Sequence, residues 1–263
     1  MSTPLSQIDE EFNTACAHGD YETALTLVRG NRCLDVNRKD VVGFTPLHWA
    51  CYNDRHKIAE MLLCHRHIEV NKKNNFGSTP FFAACEMGSL KCVKLLLKNT
   101  AVDVNLPNND GYTPLMRAAK EGYIDIVKYW IASGRGMDLK KELTGRNAMN
   151  ISALHGRREM TALLYKYGNN RKKTIKKMRI KLRWHKKQAA ALFALIVFAC
   201  DGILKIKRTC GPKYDRFFNI AGKLPMEIQM ILCHRVFDSM KNGIASKYSE
   251  PAFRGLARKL LVS

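Results

Sequence analysis

The 263-residue sequence lacks an apolar run long enough to cross a bilayer. Its longest run, "AAALFALIVFAC" at residues 189–200, has twelve residues, whereas a transmembrane helix needs about 20. Asp201 comes directly after it, and a carboxylate at the middle of a bilayer is costly. The run therefore predicts a buried helix of the C-terminal half, with a membrane-associated hairpin as the alternative.

Acidic residues are scarce as well. There are 23 Asp and Glu against 44 Lys and Arg, which gives a formal net charge of +21. A charge of this size favours acidic partners, which include nucleic acid, an anionic membrane face and acidic proteins. The net charge alone does not distinguish among these partners.

A paired cysteine framework is also missing. The nine cysteines are odd in number and irregular in spacing, and several fall on apolar stripes, where a thiol behaves as a small hydrophobic group. This usage is typical of a reducing compartment. The N-terminus, "MSTPLSQIDEEF", has neither a basic start nor an apolar run, so no signal peptide is expected. We expect the protein in the cytoplasm or nucleus of a eukaryotic cell.

Sequence signals for an enzyme are absent. No glycine-rich phosphate loop follows a strand pattern, and "GRG" at Gly134 lacks the remaining glycines. "CHRH" at residues 64–67 brings metal-capable side chains together, but no CxxC pair completes a four-ligand zinc site. Neither a catalytic residue, a metal nor a cofactor is predicted.

What the sequence does have is a repeat of 34 residues. "GFTPLHWAC", "GSTPFFAAC" and "GYTPLMRAA" begin at Gly43, Gly77 and Gly111, and the weaker "GRNAMNISA" begins at Gly145. Near the N-terminus, "FNTACAHGD" reproduces the helix without its turn. A turn marker and a Val-Asn pair recur in step, at Gly19, Asp54, Gly88, Gly122 and Gly156, and at Val36-Asn37, Val70-Asn71 and Val104-Asn105. The pattern predicts five repeats.

The residue pattern of each repeat predicts two short helices. Thr is a good N-cap, and Pro fits the first helical position because it needs no hydrogen-bond donor there. Leu47, Ala50 and Cys51 form one buried stripe at i, i+3 and i+4, and Gly88 and Gly122 are suited to ending a first helix. A second helix comes next, as in "LKCVKLLL".

A period near 33 with Thr-Pro-Leu-His resembles the ankyrin-repeat family. The resemblance covers residues 6–169 and implies an all-α solenoid with short hairpin tips. It also implies binding of a target protein through the tips and the exposed side of the first helices. By position, the candidate target-binding residues are Trp49, Tyr52, Phe76, Met87, Arg117 and Lys120. The alternative for Trp49 and Tyr52 is packing over the seam between repeats. His48 is interpreted as structural, through a hydrogen bond to the repeat's Thr.

A basic segment at residues 170–188 comes after the repeats. "RKKTIKKMRIKLRWHKK" holds ten Lys or Arg in seventeen residues and no acid. Ile175, Met178 and Leu182 are spaced for an amphipathic helix, but the local alternation also permits a strand. The segment could be a solvated linker, a nuclear import signal, a nucleic-acid contact or a surface for anionic lipid. Its basic patch comprises Arg171, Lys172, Lys173, Lys176, Lys177, Arg179, Lys181 and Arg183.

Residues 189–263 are predicted to form a small helical C-terminal domain. Within it, "LPMEIQMIL" opens like an F-box, and "FRGLA" stands at the distance of the F-box closing element. Residues 219–258 therefore resemble the F-box-like, PRANC-like segments that follow ankyrin arrays in large DNA viruses and intracellular bacteria. Phe253 replaces the usual Trp, and an ordinary core helix is the alternative. The implied ligase-binding residues are Leu224, Pro225, Ile228, Ile231, Leu232 and Phe253.

Together these resemblances imply a protein-interaction adaptor. The repeats would bind a target protein, and the F-box-like segment would recruit the adaptor subunit of a cullin–RING ubiquitin ligase. The alternative function is an ankyrin scaffold without a ligase link, which uses its basic segment for nuclear import or for binding nucleic acid or an anionic surface.

Overall fold

The computed structural model of the protein describes residues 4–31, 33–182 and 184. The described residues up to Met178 form one compact unit. Within these ranges there are eleven helices and no strand, with α1 to α11 at Pro4–His18, Tyr21–Gly30, Pro46–Tyr52, His56–Leu63, Pro80–Met87, Leu90–Leu96, Pro114–Glu121, Ile124–Ser133, Ala148–Leu154, Arg158–Asn169 and Arg171–Lys181.

The first ten helices form five pairs. Each first helix packs against the first helix of the next pair, and the second helices do the same, so that the pairs stack in chain order. A pair buries its apolar face only against its neighbours, which makes the stack the folding unit. The predicted all-α solenoid is confirmed.

The three complete repeats start and end their first helices as the sequence predicts. The hydroxyls of Thr45, Thr79 and Thr113 accept hydrogen bonds from the third helical N–H, and Pro occupies the first turn. Gly88 and Gly122 end α5 and α7 in the left-handed region, at φ 74° and 86°. Asp54 takes the same left-handed turn without being glycine, at φ 50°.

The recurring Val-Asn pair has a structural purpose. The amide nitrogen of Asn37 donates to the His67 carbonyl at 2.6 Å, and its amide oxygen accepts from the Glu69 N–H at 2.8 Å. Asn71 and Asn105 make the same two bonds to the following repeats. Each Asn therefore ties its own repeat to the next one through backbone groups that would otherwise lack partners.

The hairpin tips between the pairs stack directly on one another. The Asn75 N–H donates to the Val42 carbonyl at 3.3 Å, and the Asn109 N–H donates to the Phe76 carbonyl at 2.9 Å. Gly77 has φ +74°, and a Cβ there would lie 2.1 Å from Asn109 Oδ1 and 2.7 Å from the Asn109 backbone nitrogen. Only glycine fits between these two tips.

We therefore expect Gly77→Ala to lower the free energy of unfolding by more than the strain of a left-handed φ alone would. A left-handed angle costs a residue with a Cβ about 1–2 kcal/mol, and the clash with Asn109 adds to this. Gly145→Ala is the matched control, because Gly145 has φ +72° but open space around its Cβ position. Chemical denaturation measures both variants. An equal loss of stability in Gly77→Ala and Gly145→Ala would show that the clash with Asn109 contributes nothing to the effect.

The described cysteines are all free thiols. Cys16, Cys51, Cys85 and Cys92 are buried, as expected for residues on the apolar stripes. Burial raises the pKa of the Cys16 thiol to about 12, which keeps it protonated and unreactive near neutral pH.

The start of the basic segment is a helix, so the strand alternative is wrong over α11. Met178 is buried as the predicted stripe requires, and Thr174 is buried beside it, whereas Ile175 and Leu182 are half-buried. The Thr174 hydroxyl lies 2.9 Å from the Lys166 carbonyl of α10 and 2.8 Å from that of Asn170. The Thr174 hydroxyl therefore joins α11 to the last repeat.

Several sequence predictions lie outside the described residues. They are Arg183 of the basic patch, the apolar helix at 189–200 and the F-box-like segment at 219–258 with all six of its ligase-binding residues. None of the helices in the described part has the length and hydropathy needed to span a bilayer.

Candidate target-binding surface

An aromatic cluster stands on the second repeat. The ring centroid of Phe44 lies 4.8 Å from that of Trp49 and 5.9 Å from that of Tyr52, and Trp49 lies 6.1 Å from Tyr52. The Trp49 Nε1–H donates to Asp40 Oδ2 at 2.9 Å. Trp49 and Tyr52 remain half-buried, so each ring offers an apolar surface whose orientation is set by its neighbours.

A charged cluster occupies the first helix two repeats further on. Arg117 in α7 donates from Nε to Glu86 Oε1 at 2.8 Å and forms a second bond to the same oxygen. The Arg117 guanidinium and the Lys120 ammonium lie 5.7 and 5.8 Å from the ring centroid of Tyr112. Glu86 neutralises the charge of Arg117. The contact described here for Lys120 is instead with the face of an aromatic ring.

Large apolar side chains are exposed between and beside these clusters. Val41 is 96% exposed and Phe76 is 59% exposed, both at hairpin tips, and Met87 at the end of α5 is 42% exposed. Exposed aromatic and Met side chains are typical of protein-interaction surfaces. The structure thus places all six predicted residues at least partly in solvent, as a binding role requires.

A groove continues this surface onto α1. Its volume is about 920 Å³, and it runs between α1 on one side and the first hairpin tip with Trp49 on the other. His18, Arg38 and Arg55 line it together with Asp40. The Arg38 guanidinium is paired with Asp9 at 2.9 Å.

One residue of the groove lining, Asn13, has a buried polar atom without a partner. Asn13 in α1 is only 8% exposed, and its Oδ1 makes no hydrogen bond in the structure. A buried acceptor without a partner costs about 1–3 kcal/mol. Because this oxygen is itself shielded from solvent, it marks a local cost to the stability of α1 and not a contact open to a ligand.

His48 supports the surface from beneath and is fully buried. Its Nδ1 accepts from the Thr45 N–H at 3.2 Å, so Nε2 carries the proton and donates to the Ser78 carbonyl at 2.9 Å. Burial lowers the pKa of His48 to about 4, against a smaller opposing effect of the Ser78 bond. The structural interpretation of His48 is confirmed: it joins the second repeat to the third.

Sequence reasoning found the exposed positions but missed their neighbours. Phe44 and Tyr112 come directly after the tip glycines, so the repeat register could have marked them as tip aromatics. Asn13 offered no signal, because its repeat lacks the turn that sets the register elsewhere. The rings of Trp49 and Tyr52 contact that of Phe44, which was not among the six predicted residues.

The family comparison agrees with this geometry. A family model for ankyrin repeats (3 copies) matches residues 12–74 and 66–142. The array is made of ankyrin repeats. Ankyrin arrays generally act as non-enzymatic scaffolds that bind other proteins, and this array has the same two binding elements, hairpin tips and first helices. No curated protein matches the chain significantly.

Metal-ligating side chains do not cluster in the ankyrin array. Among the described residues, no group of three or more His, Cys, Asp or Glu is close enough to hold a metal ion. The groups that the ankyrin surface does offer are aromatic faces and cations, which serve non-covalent recognition.

Proposed function

We propose that this protein is an adaptor whose ankyrin array holds a target protein while its C-terminal segment engages a cullin–RING ubiquitin ligase. The target-binding half is supported by one observation above all. The predicted surface is exposed, and its Trp49 end adjoins a groove of about 920 Å³ that is lined by His18, Arg38 and Arg55 together with Asp40. Catalysis would belong to the ligase and would depend on proximity.

The chemistry of the surface favours an extended segment of the target. Phe76 and Met87 supply apolar anchors, while Asp40 and Glu86 hold the neighbouring Trp and Arg side chains in fixed orientations. Ordered aromatic and Arg side chains lose little conformational entropy on binding, which is why they dominate binding energy in interfaces. An extended segment would also lie along the groove that begins beside Trp49.

The ligase-binding half is supported by the sequence alone. Leu224-Pro225-Met226-Glu227-Ile228 with Ile231 resembles the opening of an F-box. Pro suits the first position of a helix, and Glu227 suits its positively polarised first turn. A short helix with Ile228, Ile231 and Leu232 on one face is the kind of element that a partner's groove captures.

Affinity capture with the full chain from eukaryotic extract tests both halves separately. Leu224→Asp with Ile228→Asp is expected to abolish recovery of cullin and its adaptor subunit while the target is still recovered. Phe76→Ser with Met87→Ser is expected to do the reverse. The control is Tyr165→Ser, which removes a 63% exposed apolar side chain from the second helix α10, outside the tips and the first helices.

The results discriminate between the two functions. Wild-type chain that recovers target proteins but no cullin would refute the ligase link and leave a simple ankyrin scaffold. Loss of the same proteins in the control as in Phe76→Ser with Met87→Ser would refute the proposed binding surface, since it would show only non-specific apolar adhesion.

A further inference from the structure

The positive charge of this protein is concentrated in the last repeat and in the chain beyond it. Residues 1–133 contain 15 Lys or Arg and 15 Asp or Glu, so the first four repeats are neutral. Residues 134–184 contain 15 Lys or Arg against 3 Asp or Glu, a net charge of +12. A neutral array that ends in a strongly basic surface presents two different surfaces to partners.

Helix α11 forms the most basic part of this surface. No Asp or Glu stands between Glu159 and Asp201 in the sequence, so the helix carries no acid of its own. Like charges at i, i+4 repel one another, and a counter-anion would relieve this repulsion. Thr174 and Met178 are buried, and the Thr174 hydroxyl bonds to the Lys166 carbonyl of the last repeat. The exposed cations of the helix include Lys172, Lys173, Lys176, Lys177 and Lys181.

The last repeat extends the basic surface beyond α11. A Cβ on Gly136 would lie 3.2 Å from the Arg171 guanidinium, so the loop around Gly136 packs against the start of α11. This loop leads directly into Lys140 and Lys141, both exposed. Asp138 in the loop has its Oδ1 occupied by the N–H groups of those two lysines.

The shape of the surface distinguishes among anionic partners. A helix that binds a membrane inserts an apolar face, but Met178 of α11 is buried and Ile175 is half-buried, so the helix has no continuous exposed apolar face. Protein interfaces rely on buried aromatic and apolar anchors, and α11 exposes one large apolar side chain, Ile180. Its remaining exposed surface consists mainly of lysines. Such flexible cations can contact the regularly spaced phosphates of a nucleic-acid backbone without hydrogen bonds to the bases.

We propose that α11 and the adjoining loop of the last repeat bind the phosphate backbone of nucleic acid without sequence specificity. The helix is about 16 Å long at 1.5 Å per residue, which matches about five base-pair steps of 3.4 Å. The exposed lysines of α11 therefore reach several phosphates of one duplex. This binding is independent of the target-binding surface and of any ligase contact.

Salt dependence of binding to a short labelled DNA duplex tests the proposal with the full chain. Each neutralised phosphate contributes about 0.9 to the slope of log affinity against log salt, so four lysines predict about 100-fold weakening between about 50 and 200 mM salt. Replacing Lys172, Lys173, Lys176 and Lys177 by Gln is expected to reduce the slope by about 3.6. Their replacement by Arg is expected to leave it unchanged.

A charge-matched control separates location from net charge. Lys57→Gln, Arg66→Gln, Lys91→Gln and Lys98→Gln together also remove four exposed cations, but from the neutral repeats. This variant is expected to keep the wild-type slope. Thermal unfolding by circular dichroism checks that both variants fold, and Gln has nearly the helix propensity of Lys.

Three results would overturn the proposal. The first is an equal loss of slope in both four-site Gln variants, which would mean a diffuse effect of net charge. The second is an unchanged slope in the α11 variant. The third is α11-dependent binding to phosphatidylserine vesicles without binding to the duplex, which would assign the surface to a membrane.

Discussion

Trp130→Ala is expected to lower the free energy of unfolding by about 4 kcal/mol, within the range for removing a buried aromatic side chain. Trp130 in α8 is fully buried, and its ring meets Phe81 of α5 edge-to-face with centroids 5.0 Å apart. The corresponding positions of the other repeats, at intervals of 34 residues, hold Leu62, Leu96 and Leu164. These leucines are smaller than Trp and are already packed in their own repeats. They cannot move into the space that Trp130→Ala leaves, so a cavity remains.

Trp130→Phe should cost much less, below about 2 kcal/mol. The Trp130 Nε1–H is buried without a hydrogen-bond partner, and an unpartnered buried donor costs about 1–3 kcal/mol. Phe keeps a ring against Phe81 and removes that donor. Urea denaturation followed by circular dichroism measures both variants, with Tyr165→Ala as an exposed control expected within about 0.5 kcal/mol of wild type. Equal costs for Trp130→Ala and Trp130→Phe would contradict this account.

The array is expected to lose about 3 kcal/mol of stability to the protonation of His48 alone as the pH falls to about 4. The pKa of His48 is about 4 in the folded protein because burial disfavours the charged ring, against an ordinary value of 6.5. Between these values the unfolded chain binds more protons, so stability rises with pH. The contribution is fully present above the ordinary pKa of His and is lost as the pH falls towards the folded value.

His48→Gln isolates this effect from the titration of carboxylates. Once protonated, Nδ1 could no longer accept from the Thr45 N–H, a loss that a Gln side chain avoids. We expect the variant to be less stable than wild type at neutral pH, and the difference to shrink by about 3 kcal/mol as the pH approaches about 4. Denaturation midpoints of both proteins across this range give the difference. A gap that stays constant with pH would rule out His48 as the titrating group.

The parts of the candidate site that could be predicted are those that depend on the repeat register. A 34-residue period places Trp49, Met87 and Arg117 on the exposed side of successive first helices without knowledge of their contacts. Their ring and charge partners, Phe44 and Glu86, required the structure. The Phe44 ring reaches Trp49 across the turn between the tip and the helix, and Glu86 reaches Arg117 across 31 residues.

The groove at the first repeat could not have been predicted at all. In the later repeats a hairpin tip precedes each first helix, whereas α1 is 15 residues long and occupies that region with helix. The space between α1 and the first tip arises from this difference in shape. Asn13 lines this groove although no repeat marker in the sequence singles it out.

The sequence by itself determined the five helix pairs, their caps and the residues that end each first helix. These features depend on side chains that bond to backbone groups a few residues away, so the types of neighbouring residues are sufficient. The tertiary structure decided how the pairs recognise one another: Asn37 reaches His67, Gly77 meets Asn109, and Trp130 packs on Phe81. Those contacts depend on the size and direction of side chains in different repeats, and their geometry exists only after the pairs have stacked.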